Sequence, residues 1–151
     1  MPVGCGNDGH LMMVLQVFAN ASLQRTSAAR GFLGASGFSH IPRSAAWGVS
    51  FTRSRYNVRL NWTWRDDQNR GEVTGASIEP GTYNYTPGFT KLDVLGEMTV
   101  WRRFALFANL RNVGDVPDRG TTVGPSTPYH ATLRYQERYG SLWTFGVKGT
   151  F

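Results

Sequence analysis

The chain has 151 residues, of which 40% are hydrophobic and 13% aromatic but only 17% charged. Disorder needs low hydrophobicity with high charge, and a coiled coil needs roughly half Ala, Glu, Lys, Leu and Arg, so both classes are excluded. No apolar run approaches the ~18 residues of a membrane-spanning helix. The net charge is +6, and the single cysteine, Cys5, excludes an internal disulfide framework and a multi-cysteine metal site.

Strict alternation of apolar and polar side chains is the main structural signal. In chain order, the pattern predicts strands at 14–24, 44–53, 56–65, 90–101, 104–112 and 141–151. It is clearest at 56–65, where apolar and polar residues alternate without a miss, which is typical of a strand with two different faces. Phe18 and Leu95 are the exceptions to the alternation in their strands.

The predicted connections alternate in length. Tight turns fall at 53–55 and 102–103, whereas long polar stretches rich in Gly, Pro, Ser and Thr cover 25–44, 66–88 and 113–140. Loops this long are uncommon in compact soluble domains. Outer-membrane barrels combine short periplasmic turns with long outer loops. We therefore predict an all-β fold of antiparallel up-and-down strands, forming about six strands of a transmembrane barrel.

A weaker alternation at 130–137 is interpreted as a strand-like part of the last long loop. With short turns on the periplasmic side, six membrane strands place the chain end in the periplasm, whereas a seventh would invert it. The segment is expected to extend the barrel beyond the membrane.

The apolar face of these strands is predicted to contact lipid. The strands match the ~9–11 residues that cross a bilayer at a tilt, and aromatic residues cluster near strand ends, as in the belts that Trp and Tyr form at membrane interfaces. The interfacial aromatic residues are Trp47, Phe51, Tyr56, Trp62, Trp64, Trp101 and Phe104. Ordinary packing in a soluble core is the alternative.

The opposite face is polar and is predicted to line a lumen. Its residues carry both signs of charge, so they can pair with one another; they are Arg59, Asn61, Arg65, Asp93, Glu97, Arg111 and Lys148. The remaining basic residues lie largely in turns and loops and form no single stripe, which argues against a nucleic-acid partner.

Three segments resemble the C-terminal part of TonB-dependent outer-membrane receptors. The strand at 104–112 followed by Val113-Gly114-Asp115 is similar to the family's penultimate strand with its Asn-x-x-Asp ending. The segment 139–151 resembles the closing strand, and 41–64 resembles a hairpin of the same family. The resemblance covers residues 15–151, and residues 1–14 form a poorly matching leader.

The resemblance implies uptake of a scarce ligand (an iron chelate, cobalamin or a glycan) across a bacterial outer membrane. The implied partners are outer-membrane lipid, the barrel-assembly machinery and, through a plug, the TonB complex. The implied assembly signal is Trp143, Phe145, Val147 and Phe151. Because these 151 residues contain no plug, TonB box or signal peptide, we expect a C-terminal piece of a receptor that does not transport alone.

The sequence indicates no enzymatic centre and no cofactor. Gly4-Cys5-Gly6-Asn7-Asp8-Gly9 matches G-x-G-x-x-G, but it lacks the preceding strand, following helix and later acidic residue of a dinucleotide site. His10, His40 and His130 lack the spacing of paired metal ligands. Tyr83, Tyr85, Phe89 and Tyr129, with Arg70 and Arg119 nearby, are either girdle and loop packing or ligand contacts.

Two other classes of protein remain open from the sequence. One is a different outer-membrane barrel, such as a porin or the end of an autotransporter. The other is a soluble β-sandwich that binds carbohydrate or nucleic acid, in which the apolar face would form the core.

Overall fold

The computed structural model describes residues 13–25 and 41–149. Within these ranges the chain forms ten β-strands and one 3-10 turn, Tyr129–Ala131, with no α-helix. The strands are β1 Val14–Leu23, β2 Arg43–Arg53, β3 Tyr56–Arg65, β4 Gln68–Glu72, β5 Tyr83–Thr86, β6 Phe89–Trp101, β7 Phe104–Arg111, β8 Asp118–Val123, β9 Leu133–Glu137 and β10 Leu142–Gly149. No helix in the described part of the chain has the length and apolar character to cross a membrane.

Six strands form one antiparallel sheet in the order β1-β2-β3-β6-β7-β10. They are the six strands predicted from alternation, and the all-β antiparallel class is confirmed. Two-residue turns at Ser54-Arg55 and Arg102-Arg103 join β2 to β3 and β6 to β7. Strands β1 and β10 do not pair with each other, so the sheet is open in the residues that the structure describes.

The two later polar stretches are more ordered than the sequence predicts. Strands β4, β5, β8 and β9 form a second antiparallel sheet in that order. Along the chain, β4 follows β3, β5 precedes β6, β8 follows β7 and β9 precedes β10. The second sheet therefore has the same order as the four neighbouring strands β3, β6, β7 and β10 of the first sheet. The expectation of loops at 66–88 and 113–140 is therefore wrong in part, whereas the strand-like reading of 130–137 agrees with β9.

Cross-strand register divides the first sheet into two chemically different faces. Residues directly opposite one another in an antiparallel sheet lie on the same face, and Leu15, Phe51 and Val58 are opposite one another across β1, β2 and β3. The apolar face so defined carries Leu15, Val17, Ala19, Ala21, Leu23, Ala45, Trp47, Val49, Phe51, Tyr56, Val58, Leu60, Trp62, Trp64, Leu92, Val94, Gly96, Met98, Phe104, Leu106, Ala108, Leu110, Trp143, Phe145 and Val147.

Among the described residues, no hydrophobic side chain is buried. Val17 is 72% exposed, Phe145 65% and Trp143 57%. Burying one such side chain contributes about 1.5–3 kcal/mol, and a monomeric soluble protein rarely leaves a contiguous apolar patch uncovered. The sheet is thus a single layer, held together by hydrogen bonds between strands and not by a core.

The polar face, opposite the apolar one, carries two aromatic residues where a neighbouring strand supplies glycine. Phe18 is opposite Gly48, and Phe107 is opposite Gly146. A Cβ on Gly48 would come 2.6 Å from Cε1 of the Phe18 ring, so the ring lies directly over the glycine. This pairing explains why Phe18 breaks the alternation of β1: an aromatic ring covers the backbone that glycine exposes. Tyr135 covers Gly120 in the same way in the second sheet.

We predict that Gly48→Ala lowers the free energy of unfolding by about 1–3 kcal/mol, because the new methyl overlaps the Phe18 ring and the Leu60 carbonyl. Gly96→Ala is the matched control, since its Cβ would meet only the Ala108 carbonyl oxygen at 3.8 Å. It should be neutral or slightly stabilising. Urea titrations of the folded chain in lipid vesicles measure both; equal losses would contradict the overlap.

Candidate functional site

The aromatic residues predicted at membrane interfaces all belong to the apolar side of the first sheet. Across β2 and β3, Trp47 is opposite Trp62, Phe51 is opposite Val58 and Trp64 is opposite Ala45. Trp101 is 72% exposed and is opposite Phe104 beside the short turn. Phe51 and Tyr56 have ring centroids 5.9 Å apart in a stacked arrangement. Whether lipid surrounds them stays a prediction.

The residues proposed as an assembly signal lie on the edge strand β10. Trp143, Phe145 and Val147 occupy its apolar side and are each more than half exposed. The rings of Trp143 and Phe145 are 6.1 Å apart, and the Trp143 indole N–H donates to Ser141 Oγ at 2.8 Å. Phe151 lies outside the described residues.

Charged and amide side chains line a shallow hollow in the middle of the polar face. The Lys148 ammonium is 2.6 Å from Glu97 Oε2, although the two residues are 51 positions apart in sequence. Arg59, Asn57 and Asn109 line the same hollow, which has a volume of about 440 Å³. Leu95, the exception to alternation in β6, also lines it. The predicted lumen residues Arg59, Glu97 and Lys148 are therefore brought together.

A second group of polar-face residues fixes the turn after β7. Asp93 accepts the backbone N–H of Asn112 at 2.9 Å, and the Asn112 side chain both donates to the Val116 carbonyl (3.1 Å) and accepts the Val116 N–H (3.0 Å). Asn112 and Asp115 have φ values of 54° and 46°, a conformation that Asn and Asp tolerate better than other side chains. The segment resembling the family's Asn-x-x-Asp ending is thus a tight, side-chain-bonded turn.

Two other predicted lumen residues, Asn61 and Arg111, also belong to the polar face according to the strand register, but their contacts differ. Asn61 is opposite Asp93 in β6 and Gly48 in β2, and its Oδ1 atom is buried without a protein hydrogen bond. Arg111, at the end of β7, is exposed and opposite Leu142. Neither belongs to an ion pair within the described ranges.

A cluster of cations surrounds one ring where the two sheets meet. The Arg65 guanidinium carbon is 4.2 Å from the centroid of the Phe89 ring, and the Lys91 ammonium is 4.4 Å from it. Lys91 also pairs with Asp118 of the second sheet at 3.1 Å. Sequence patterns missed this cluster, because Lys91 and Asp118 come together only when the long stretch 113–140 folds back onto the sheet.

Two titratable groups near this junction have shifted pKa values. Hydrogen bonds from the Asp67 backbone N–H (3.0 Å) and from Arg43 Nε (2.7 Å) stabilise the Asp66 carboxylate and lower its pKa. The Glu137 carboxylate accepts the Tyr139 hydroxyl proton, which raises the pKa of Tyr139. Tyr139 is exposed and Asp66 is partly exposed, and these hydrogen bonds order the connections after β9 and β3.

Three acidic residues follow β3 closely, and each forms a hydrogen bond or an ion pair with another part of the chain. Asp66 pairs with Arg43, Asp67 accepts the Gly88 N–H at 2.6 Å and Glu72 accepts the Gly81 N–H at 3.3 Å. In the described part of the chain, no three His, Cys, Asp or Glu side chains are grouped as metal ligands. The G-x-G-x-x-G match, His10 and His40 lie outside that part, and Tyr129 is 94% exposed.

No family model, curated protein or solved structure matches this chain.

We predict that Asn112→Ala lowers the free energy of unfolding by about 2 kcal/mol. It removes the side-chain hydrogen bonds to Val116 and to the Gly140 carbonyl, and it leaves alanine at a positive φ with nothing to stabilise that conformation. Asn112→Gly loses the same hydrogen bonds but accepts the positive φ, so its loss should be about half. Urea unfolding followed by Trp fluorescence measures both. Glycine proving no better than alanine would refute the conformational part of the argument.

We also predict that the Glu97–Lys148 ion pair contributes less than about 1 kcal/mol, since both side chains are substantially exposed. A double-mutant cycle with Glu97→Gln and Lys148→Gln isolates the coupling energy. The coupling should fall further in high salt, because exposed charges are screened. A salt-independent coupling well above 1 kcal/mol would show that the pair is shielded from water.

Proposed function

We propose that the chain forms part of the wall of a TonB-dependent receptor barrel in a bacterial outer membrane. The observation that carries this proposal is the apolar face of the six-stranded sheet, which runs across all six strands and which no described part of the chain covers. A soluble β-sandwich would instead bury this face under a second sheet. The second sheet here adjoins the strand ends and buries no hydrophobic residue.

Three further features support the barrel. Strands β1 to β3 and β6 have 10 to 13 residues, enough to cross a bilayer at the tilt that barrel strands adopt. The turns at one end have two residues, while the β3–β6 and β7–β10 connections at the other end carry the strands of the second sheet. The polar face carries the Glu97–Lys148 ion pair and a concave hollow, features that suit the polar interior of a barrel.

In this proposal, the chain supplies lipid-facing wall, lumen wall and outer extensions, and it carries no enzymatic centre. Transport is the work of the whole receptor: a ligand passes through the lumen when a plug, coupled to the TonB complex, is displaced. The assignment to this family rests on the resemblance at 104–115, 139–151 and 41–64. The transported ligand would be an iron chelate, cobalamin or a glycan.

The lipid contact is tested by fluorescence quenching. Leu60→Cys and Asn57→Cys, each in a Cys5→Ser background, are labelled with the same small fluorophore and folded into vesicles whose acyl chains carry bromine. We expect strong quenching at position 60, on the apolar face, and weak quenching at position 57, on the polar face of the same strand. A monodisperse chain that folds without detergent, or equal quenching at both positions, would overturn the membrane proposal.

Arginine substitution gives the energetic form of this test. Leu60→Arg should reduce the stability of the vesicle-embedded chain by about 2–4 kcal/mol, the cost of a cation in the middle of a barrel's lipid face. Asn57→Arg is the matched control, and its effect should stay within about 0.5 kcal/mol because the site is exposed and polar. Urea titration in vesicles measures both.

The receptor assignment, as against a porin or an autotransporter, is tested on the coding DNA. A plug-like sequence in frame before this chain supports it. An in-frame autotransporter passenger, or a porin barrel without a plug, contradicts it.

A further inference from the structure

We propose that the junction between the two sheets holds a binding site for a single oxyanion, a carboxylate or a phosphate, centred on Arg65. The site is the hollow of about 260 Å³ that Arg65, Thr86, Phe89, Asp118 and Arg119 line. It lies on the polar side of the sheet, apart from the hollow at Glu97 and Lys148. This site goes beyond the proposed barrel function. It rests on that function in one respect only: the polar face must be in contact with water.

Arg65 is a cation without a protein counter-ion. It forms no ion pair or hydrogen bond within the described residues, and its Nε atom is buried. A buried donor left unpaired costs about 1–3 kcal/mol, so such groups are normally satisfied by protein, water or a ligand. Because Nε is closed off from solvent, an anion in the hollow would accept from the terminal guanidinium nitrogens of Arg65 and balance its charge.

The Phe89 ring holds Arg65 in place for such a contact. The guanidinium lies 4.2 Å from the ring centroid, and an aromatic face fixes an arginine while leaving its N–H groups free to bond in their own plane. An immobilised fork of this kind matches the two oxygens of a carboxylate or a phosphate. The Arg65 side chain is therefore already ordered before an anion binds.

The local charge balance favours an anion. The Asp118 carboxylate is already paired with Lys91 at 3.1 Å, and the Arg119 Nε atom donates to the neutral Gln136 at 2.8 Å. Thr86 Oγ1 accepts from Arg70 at 2.9 Å, which leaves its own proton available to a ligand. The hollow thus offers two guanidinium groups and a hydroxyl donor, and its one lining carboxylate, that of Asp118, is already paired with Lys91.

The size of the hollow limits what it can hold. Its volume equals roughly nine water molecules at about 30 Å³ each, which is below the range typical of drug-sized ligands. It fits one oxyanion group of a small solute, or the anionic end of a larger one that extends along the polar face.

The test is calorimetric titration of the whole chain, folded in detergent micelles at low salt, with citrate and with inorganic phosphate. We expect saturable binding of one or both, weakening as sodium chloride is added. Binding of citrate alone indicates a carboxylate site and binding of phosphate alone a phosphate site. Absence of binding to both in a chain that passes the lipid-quenching test overturns this site and leaves the proposed function intact.

Three variants locate the binding. Arg65→Gln should weaken it at least about tenfold, as expected for loss of a charge-assisted hydrogen bond, and Arg65→Lys should weaken it less because the charge remains without the fork. Arg59→Gln, on the same face but in the other hollow, should change it less than about twofold. Equal weakening by Arg65→Gln and Arg59→Gln would mean diffuse attraction to a basic face and would overturn the site.

A measurement on the unaltered chain covers the case in which Arg65→Gln does not fold. The Nε–H resonance of Arg65, observed by nitrogen-15 NMR with arginine-labelled chain, should shift on addition of the bound anion and not on addition of matched chloride. An unshifted Arg65 signal at saturating citrate and phosphate would show that the anion binds elsewhere or not at all, and it would overturn the proposal.

Discussion

The structure depends on one constraint: a single-layer sheet pairs the backbone of its interior strands but leaves one entire face apolar. Hydrogen bonds between neighbouring strands pair the backbone groups of the interior strands, so these groups need no water. The side chains on the apolar face have no such partners, because no described hydrophobic residue is buried. A surrounding hydrocarbon phase meets both conditions at once, and this is the physical basis of the barrel proposal.

The polar face is stabilised by different means. Its central residues form ion pairs and hydrogen bonds between strands. Lys148 of β10 reaches over β7 to Glu97 of β6, and Asp93 of β6 accepts the Asn112 N–H at the end of β7. Where glycine interrupts the face, an aromatic ring from the next strand covers the gap, as Phe18 does over Gly48. These contacts keep the polar face continuous without a core, as the proposed barrel wall would require.

The second sheet gives the polar face its most distinctive chemistry. It repeats the strand order of the first sheet and meets it at the Arg65, Phe89 and Lys91 cluster. The salt bridge from Lys91 to Asp118 joins the two sheets and pairs the one carboxylate that lines the hollow beside Arg65. The same contact that orders the junction therefore leaves Arg65 as a cation facing a hollow.

The sequence by itself determined the six long strands and their two faces, because a period of two places every second side chain on the same side. The strand ends agree with the alternation to within one residue where both are described, as at Tyr56–Arg65. Tertiary structure alone decided the second sheet, since short segments such as Tyr83–Thr86 and Asp118–Val123 have little alternation and are fixed by pairing with each other. It also decided the Arg65 site, because residues 65, 89 and 118 share no local pattern and meet only through long-range strand pairing.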